Sequence, residues 1–261
     1  MYFLNCKRVV FVALLATLSV SGCTTVPGDR DPRDPWESYN RTIYKFNDGA
    51  DKAVLKPVAK AYRFVTPKFV RVGVSNFFSN LDDVTVFFND MFQGKFRRAV
   101  ADGGRFVINT TFGLGGLIDV AGVAGAPKHY EDFGQTLGVW GMGPGPYFML
   151  PLLGPSSTRD ASGRVVDIFF APGNYVRNVN AARGAYVLNV VNVRSNLLDT
   201  EKVLDEAAVD RYSFLRDAYL QRRESLVYDG NPPKKADQEF DDFDEPEKSV
   251  PGKPKAPEKK N

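Results

Sequence analysis

The sequence predicts an all-α fold, and three observations carry that reading. Apolar residues recur at spacings of three and four along most of residues 34–228. Several of these runs open on Asp, Ser or Thr, followed in places by proline, the usual chemistry of a helix start. Strict two-residue alternation, the mark of a half-buried strand, is almost absent. The chain has 261 residues, 43% of them apolar and 13% aromatic, enough for one large domain or two small ones.

The first twenty-two residues read as an export signal. Lys7-Arg8 precedes the apolar run Val9 to Val20. Twelve helical residues span about 18 Å against a hydrocarbon core of about 30 Å, so this run is too short for a transmembrane anchor. It ends in Val20-Ser21-Gly22-Cys23, which resembles a bacterial lipobox, with Cys23 as the residue to be acylated. Thr24 follows where aspartate would signal retention, and by resemblance to enterobacterial lipoproteins that favours the outer membrane. Several acyl chains would anchor the protein firmly, at about 0.8 kcal/mol per buried methylene. The only other cysteine is Cys6, so the folded body has no disulfide and no thiolate chemistry. Residues 23–33 form a polar tether.

Asp34-Pro35-Trp36-Glu37 has the pattern of an N-cap, a first-turn proline and a capping-box glutamate. Trp36, Tyr39, Ile43, Phe46, Ala50 and Val54 then make one apolar face. Thr66-Pro67 repeats the start signal for a segment reaching Leu81. Asp82-Asp83 opens another, from Val84 to Phe92, closed by Gly94. A helix over Lys95 to Phe112 leads into the glycine-rich stretch from Asn109 to Ala121. Further helices are expected at about 159–170, 180–198, 200–208 and 210–228. From Asp229 the composition turns to an acidic block and Lys-Pro repeats, so residues 229–261 read as a disordered tail.

The stretch from Glu131 to Asp160 breaks this helical pattern. It opens as a short amphipathic turn, then breaks at Gly141-Met142-Gly143-Pro144-Gly145-Pro146. The apolar run Tyr147 to Leu153, with Leu150 and Pro151 within it, ends at a second break, Gly154-Pro155. The run is either a buried strand or extended core segment, or a segment that meets lipid. Its flanking glycines and prolines suit a movable hairpin, and also a rigid packed loop.

Catalytic chemistry has little to build on. His129 is the only histidine, no G-x-S-x-G elbow is present, and Ser156-Ser157 before a helix reads as an N-cap. Asp82-Asp83 is placed to complement a helix macrodipole, and Arg159-Asp160 to form an ion pair at a helix start. The GxGG after Thr111 lacks the lysine of a phosphate loop, and no Cys/His spacing suits zinc. Net charge is +3, or +1 without Lys7 and Arg8, so there is no nucleic-acid footprint. What stands out is apolar excess: twenty phenylalanines and eleven tyrosines, several on helices with broad aromatic faces. Such helices are either buried or lie within one membrane leaflet.

A series of motifs in order resembles the VacJ/MlaA lipoproteins of Gram-negative outer membranes, over about residues 34–228. It comprises the lipobox, Asp34-Pro35 with Asn40-Arg41, Phe46-Asn47, and Asn109 to Ala121 with Gly113, Gly116 and Asp119. Gly134, Thr136, Leu137 and Gly138 extend it, as do Gly145-Pro146-Tyr147, Gly154-Pro155 and Arg159-Asp160. The resemblance implies a ring of amphipathic helices in the periplasmic leaflet, with a Gly/Pro hairpin beside a central channel. It implies a non-enzymatic protein without cofactor that takes phospholipid from the outer leaflet and passes it to a soluble periplasmic carrier. A trimeric porin is the implied membrane partner. A scaffolding lipoprotein that moves no lipid, and a lipid hydrolase, are the alternatives.

Overall fold

The computed structural model describes residues 31–207 and 209–233. Cys23, the leader and most of the tail lie outside the described residues. The helical expectation holds: about 71% of the described residues are helical, and the one small sheet among them is a hairpin.

Helix α1 (Glu37–Ala50) runs into a π-helical turn over Asp51–Leu55 and then α2 (Lys56–Val65). Pro57 explains the turn. It has no N–H to give Ala53, and its ring crowds that carbonyl, so the ladder widens before the proline. The expected cap at the start of α1 does not form. Trp36 occupies the N-cap position without a side-chain bond, because Asp34 is buried and its carboxylate is used elsewhere. Glu37 does not reach back either; it holds Arg41 at 2.6 Å. Thr66 likewise makes no cap, and α3 begins at Lys68 after Pro67.

Helix α3 (Lys68–Phe92) is continuous for 25 residues, so Asp82-Asp83 does not open a helix. No breaker interrupts it. Lys128 instead bonds both aspartates from outside the helix, and Arg105 lies 3.7 Å from Asp83. Helix α4 (Phe96–Phe112) packs along α3, and α5 (Val120–Val123) is one turn capped by Asp119. Helix α6 (Phe133–Val139) is capped by Asp132, whose carboxylate accepts from the Gln135 N–H at 2.9 Å. Strands β1 (Tyr147–Leu150) and β2 (Gly154–Ser157) pair antiparallel, Tyr147 opposite Ser157 and Leu150 opposite Gly154. Ser157, not Ser156, caps α7 (Thr158–Phe170), as expected of that pair.

After a 3₁₀ turn at Pro172–Tyr175, α8 (Val179–Ala207) runs unbroken where two helices were expected. Leu198 to Thr200 contains no glycine or proline to stop it, and the acidic residue just beyond is paired: Glu201 lies 2.8 Å from Lys56 and 2.7 Å from Arg194. Helix α9 (Arg211–Val227) closes the body, capped by Asp210. No described helix is long and apolar enough to cross a membrane.

The distribution of side chains is unusual. Among the described residues twenty polar or charged side chains are buried against nine apolar ones, so hydrophobic burial is not what fills the interior. Large apolar side chains stand outside instead, with Phe64 90%, Phe69 77% and Val123 88% exposed. The apolar core that does form is Tyr147, Met149 and Tyr212, with Ile43, Leu215 and Tyr219 packed on it. It is the contact between α1, the hairpin and α9.

Candidate functional site

The hairpin is held by α1 through two asparagines. Asn40 donates to the Tyr147 carbonyl at 3.2 Å and accepts from the Met149 N–H at 2.7 Å. Asn47 donates to the Leu150 carbonyl at 2.9 Å and accepts from the Leu152 N–H at 2.7 Å. A side-chain amide carries the donor and acceptor of a peptide group, so each asparagine serves β1 as a neighbouring strand would. The spacing fits. Seven helical residues advance about 10.5 Å and three strand residues about 10 Å, so one helix face meets two successive strand sites. The outer edge of β1 is thereby paired, and it is buried at Tyr147 and Met149.

Asp34 braces this arrangement. It accepts from Asn40 at 2.7 Å, from the Tyr212 hydroxyl, and from Arg216 at 3.4 Å. Burial first, and the Asp34 carboxylate second, push the Tyr212 phenol up, so it remains a donor. Arg41 spans from α1 to the Asp210 cap of α9 at 2.7 Å, and its guanidinium lies 4.4 Å from the centre of the Tyr212 ring.

A second anchor sits where α6, α7 and α9 meet. Arg223 bonds both oxygens of Asp132 at 2.5 and 2.8 Å and reaches Asp160 at 2.9 Å. Asp160 also accepts from Tyr219 at 2.6 Å and from Arg159 at 3.0 Å. Burial works against charge on Asp132 and Asp160, yet Arg223, joined by Gln135 at Asp132 and by Tyr219 and Arg159 at Asp160, holds both carboxyls below the usual range. Gly163 and Gly134 let α7 and α6 touch backbone to backbone: a Cβ on Gly163 would lie 2.2 Å from the Gly134 nitrogen. Thr136 continues the polar contact inward, donating to Asn89 on α3 at 2.9 Å. Leu137 and Gly138 lie on the same short helix, Gly138 against Arg159 and Val227.

The suspected hinge stretch divides in two. Gly141, Gly143, Pro144 and Gly145 form an exposed loop whose carbonyls face the start of α7: Pro144 accepts from Arg159 N–H at 3.3 Å, and Pro146 from Thr158 N–H at 3.2 Å. Gly145 has φ +65, and a Cβ there would meet the Thr158 hydroxyl at 2.0 Å. At the tip, Pro151, Leu152 and Leu153 are exposed, and Leu152 sits at φ 61, strained for a leucine. The apolar run is therefore part buried strand and part exposed tip. Gly154 and Pro155 begin β2.

The glycine-rich stretch after α4 folds back on Asn109, which donates to Asp119 at 2.9 Å and accepts from the Ala121 N–H at 2.9 Å. Gly113 and Gly116 each donate a backbone N–H to the Asn109 carbonyl at 2.9 Å. Asn109 is buried, as are Asn40, Asp160 and Arg159; Pro35 and Phe46 stay exposed. The motif residues are thus brought together as two polar anchors and one loop clasp. Among the described residues no group of three or more His, Cys, Asp or Glu is arranged to hold a metal ion. A cavity of about 300 Å³ opens beside the second anchor, lined by Asp82, Glu131, Gln135 and Arg222 among others.

Sequence reasoning missed the partners on α9. Tyr212, Arg216, Tyr219 and Arg223 recur at four, three and four, one face of a helix. That spacing was the available signal, hidden because the face is tyrosine and arginine instead of aliphatic.

The fold is thus that of a helical protein with many large apolar side chains outside, polar side chains inside and a hairpin strapped to its first helix. The chain belongs to the MlaA lipoprotein family, whose model matches residues 32–226. It is 36% identical to the "Intermembrane phospholipid transport system lipoprotein MlaA" of Escherichia coli K12, over 85% of this chain and 90% of that protein. The protein of the same description from Haemophilus influenzae is 32% identical over 85% and 92%. An uncharacterized protein of Rickettsia bellii is 32% identical over 79% and 82%. The fold also matches a solved structure reported as "Structural basis for maintenance of bacterial outer membrane lipid asymmetry". The TM-score is 0.67 at 37% identity, covering 76% of this chain and all of that one.

Proposed function

We propose that this chain is an outer-membrane lipoprotein, anchored through Cys23, that takes mislocalised phospholipid from the outer leaflet and passes it to a soluble periplasmic carrier. Family membership and the names of its relatives support phospholipid transport between membranes. The observation that carries the reading is the inversion of the molecule, with polar side chains inside and phenylalanines outside. Exposed rings such as Phe64 and Phe69 suit the acyl region of a leaflet, and a polar interior suits a headgroup on its way through. On this reading the helices form a ring in the periplasmic leaflet around a channel, with a trimeric porin alongside. No covalent chemistry is required of any side chain.

The hairpin gates the channel in this account. Movement is confined to the tip at Pro151–Leu153, where the bond from the Leu152 N–H to Asn47 must open, and to the loop at 141–145, because Asn40 and Asn47 hold the carbonyls of β1. A disulfide engineered between Leu152 or Leu153 and the facing turn of α1 tests it. Oxidation should stop phospholipid transfer and reduction restore it, with the melting temperature and porin association unchanged. Equal transfer by the oxidised and reduced forms would make the hairpin a fixed strut.

A further inference from the structure

Apart from both anchors, the interface of α3 and α4 encloses a pair of carboxyl groups with an unusual shortage of donors. Asp90 on α3 is wholly buried, and neither of its carboxyl oxygens has a hydrogen-bond donor among the described residues. Asp102 on α4 is equally buried; its Oδ2 meets His129 Nδ1 at 2.8 Å, and its Oδ1 has no donor. The two carboxyls lie within hydrogen-bonding reach of each other. Facing acceptors with no donor between them repel unless one carries a proton, and two buried carboxylates do not both stay ionised at such a distance.

The charges around the pair do not remove the need for that proton. Glu131, on the segment before α6, adds a third negative charge facing Asp90. Lys95, at the turn between α3 and α4, opposes it, but its ammonium is already shared between Glu131 at 3.1 Å and Asp229 at 2.7 Å. Arg98 on α4 is taken by Asp229 at 2.5 Å. On the far side of Asp102, Asp83 is occupied by Lys128, with Arg105 at 3.7 Å. Among the described residues, both cations that act on Asp90, Lys95 and Arg98, are thus already paired with other carboxylates.

We infer that Asp90 and Asp102 hold one proton between them, which makes the α3–α4 contact a proton-dependent joint that loosens when the proton leaves. The proton satisfies an otherwise open oxygen on each residue and removes one of two facing charges. Burial first, then Glu131 and Asp102, push Asp90 up to about 7, so the joint titrates near neutrality. The sign follows from that direction. A carboxyl whose folded value lies above its unfolded value of about 3.9 binds its proton more tightly when folded. Its stabilisation is complete below about pH 4 and is lost as pH rises through about 7.

Thermal melts of the full-length protein in detergent, from about pH 4.5 to about pH 8, test this against Asp90→Asn. The asparagine amide imitates the protonated acid, donating to Asp102 with no charge to titrate. The wild-type midpoint should fall by more than about 5 °C across the range, while the variant changes by less than about 2 °C and overtakes it at the alkaline end. Infrared difference spectra of the wild type supply a readout that needs no variant to fold. A protonated-carboxyl band should disappear between about pH 5 and about pH 8. Parallel melting curves for the two proteins, or no such band at about pH 5, would overturn the proposal.

Discussion

Asn40 shows how much of this structure hangs on single amides. Its side chain serves three partners at once: Asp34, the Tyr147 carbonyl and the Met149 N–H. Asn40→Ala leaves two buried strand groups and a buried carboxylate without that partner, at about 1–3 kcal/mol for each unsatisfied group. A loss of about 3 kcal/mol and a melting midpoint lower by about 6–12 °C are expected in detergent. Asn40→Asp should be worse, since it keeps the acceptor for Met149 but sets a second carboxylate against Asp34. A midpoint unchanged in Asn40→Ala would show that β1 does not depend on α1. Asn40, Asn47, Asp34 and Asp160 were legible in the sequence as motif residues, but their contacts were not. A lone asparagine on a helical face has no visible partner until the strand 107 residues away is laid against it. Asp90 and Asp102 were not legible at all, because burial of a carboxyl is a tertiary fact.

Elements were read well in kind and less well in extent. The helical spacing located α1, α4, α7 and α9 to within a few residues, because spacing is a local signal even where, as in α1 and α4, no side-chain cap forms. The boundaries that moved share a cause: Asp82-Asp83 and the Thr200 region carry acidic residues that look like helix starts. In the fold Asp83 faces Lys128 from outside its helix, and Glu201 faces Lys56 of α2 as well as Arg194 of its own helix. Tertiary pairing overrode a local signal there. The crossing of α6 and α7 gives a test at this scale. Gly163→Leu places side-chain atoms where the Gly134 backbone lies, with contact at 2.2 Å from the Cβ alone. The helices must part, drawing Asp132 away from Arg223. About 2–3 kcal/mol of destabilisation is expected, with earlier proteolysis at the 141–145 loop than elsewhere. A Gly163→Leu protein as stable and protease-resistant as the wild type would mean the two helices are not locked at this crossing.

At the scale of the whole molecule, composition left two options for the aromatic excess, buried helices or helices within a leaflet. The structure shows why one sequence supported both. The aromatic faces divide: Phe88, Phe92, Phe133 and Phe170 pack together between α3, α6 and α7, with Phe88 and Phe170 rings 4.8 Å apart. Phe64, Phe69, Phe96 and Phe112 stand outside. An exterior of that kind is costly in water, at about 25 cal/mol for each Å² of exposed apolar surface, and is favourable in lipid. The buried polar groups then hold the shape through hydrogen bonds, the term that apolar surroundings strengthen. The account therefore stands or falls on lipid handling. The most direct measurement reconstitutes the full-length lipoprotein in vesicles with labelled phospholipid and supplies a soluble lipid-binding acceptor, then identifies the acceptor's cargo by mass spectrometry. Intact phospholipid should accumulate on the acceptor at least about tenfold faster than from empty vesicles, a difference of about 1.4 kcal/mol in barrier. Transfer no faster than from empty vesicles by a folded, membrane-bound protein would contradict transport and leave a scaffold. Lysophospholipid or free fatty acid in place of intact lipid would contradict it in favour of hydrolysis.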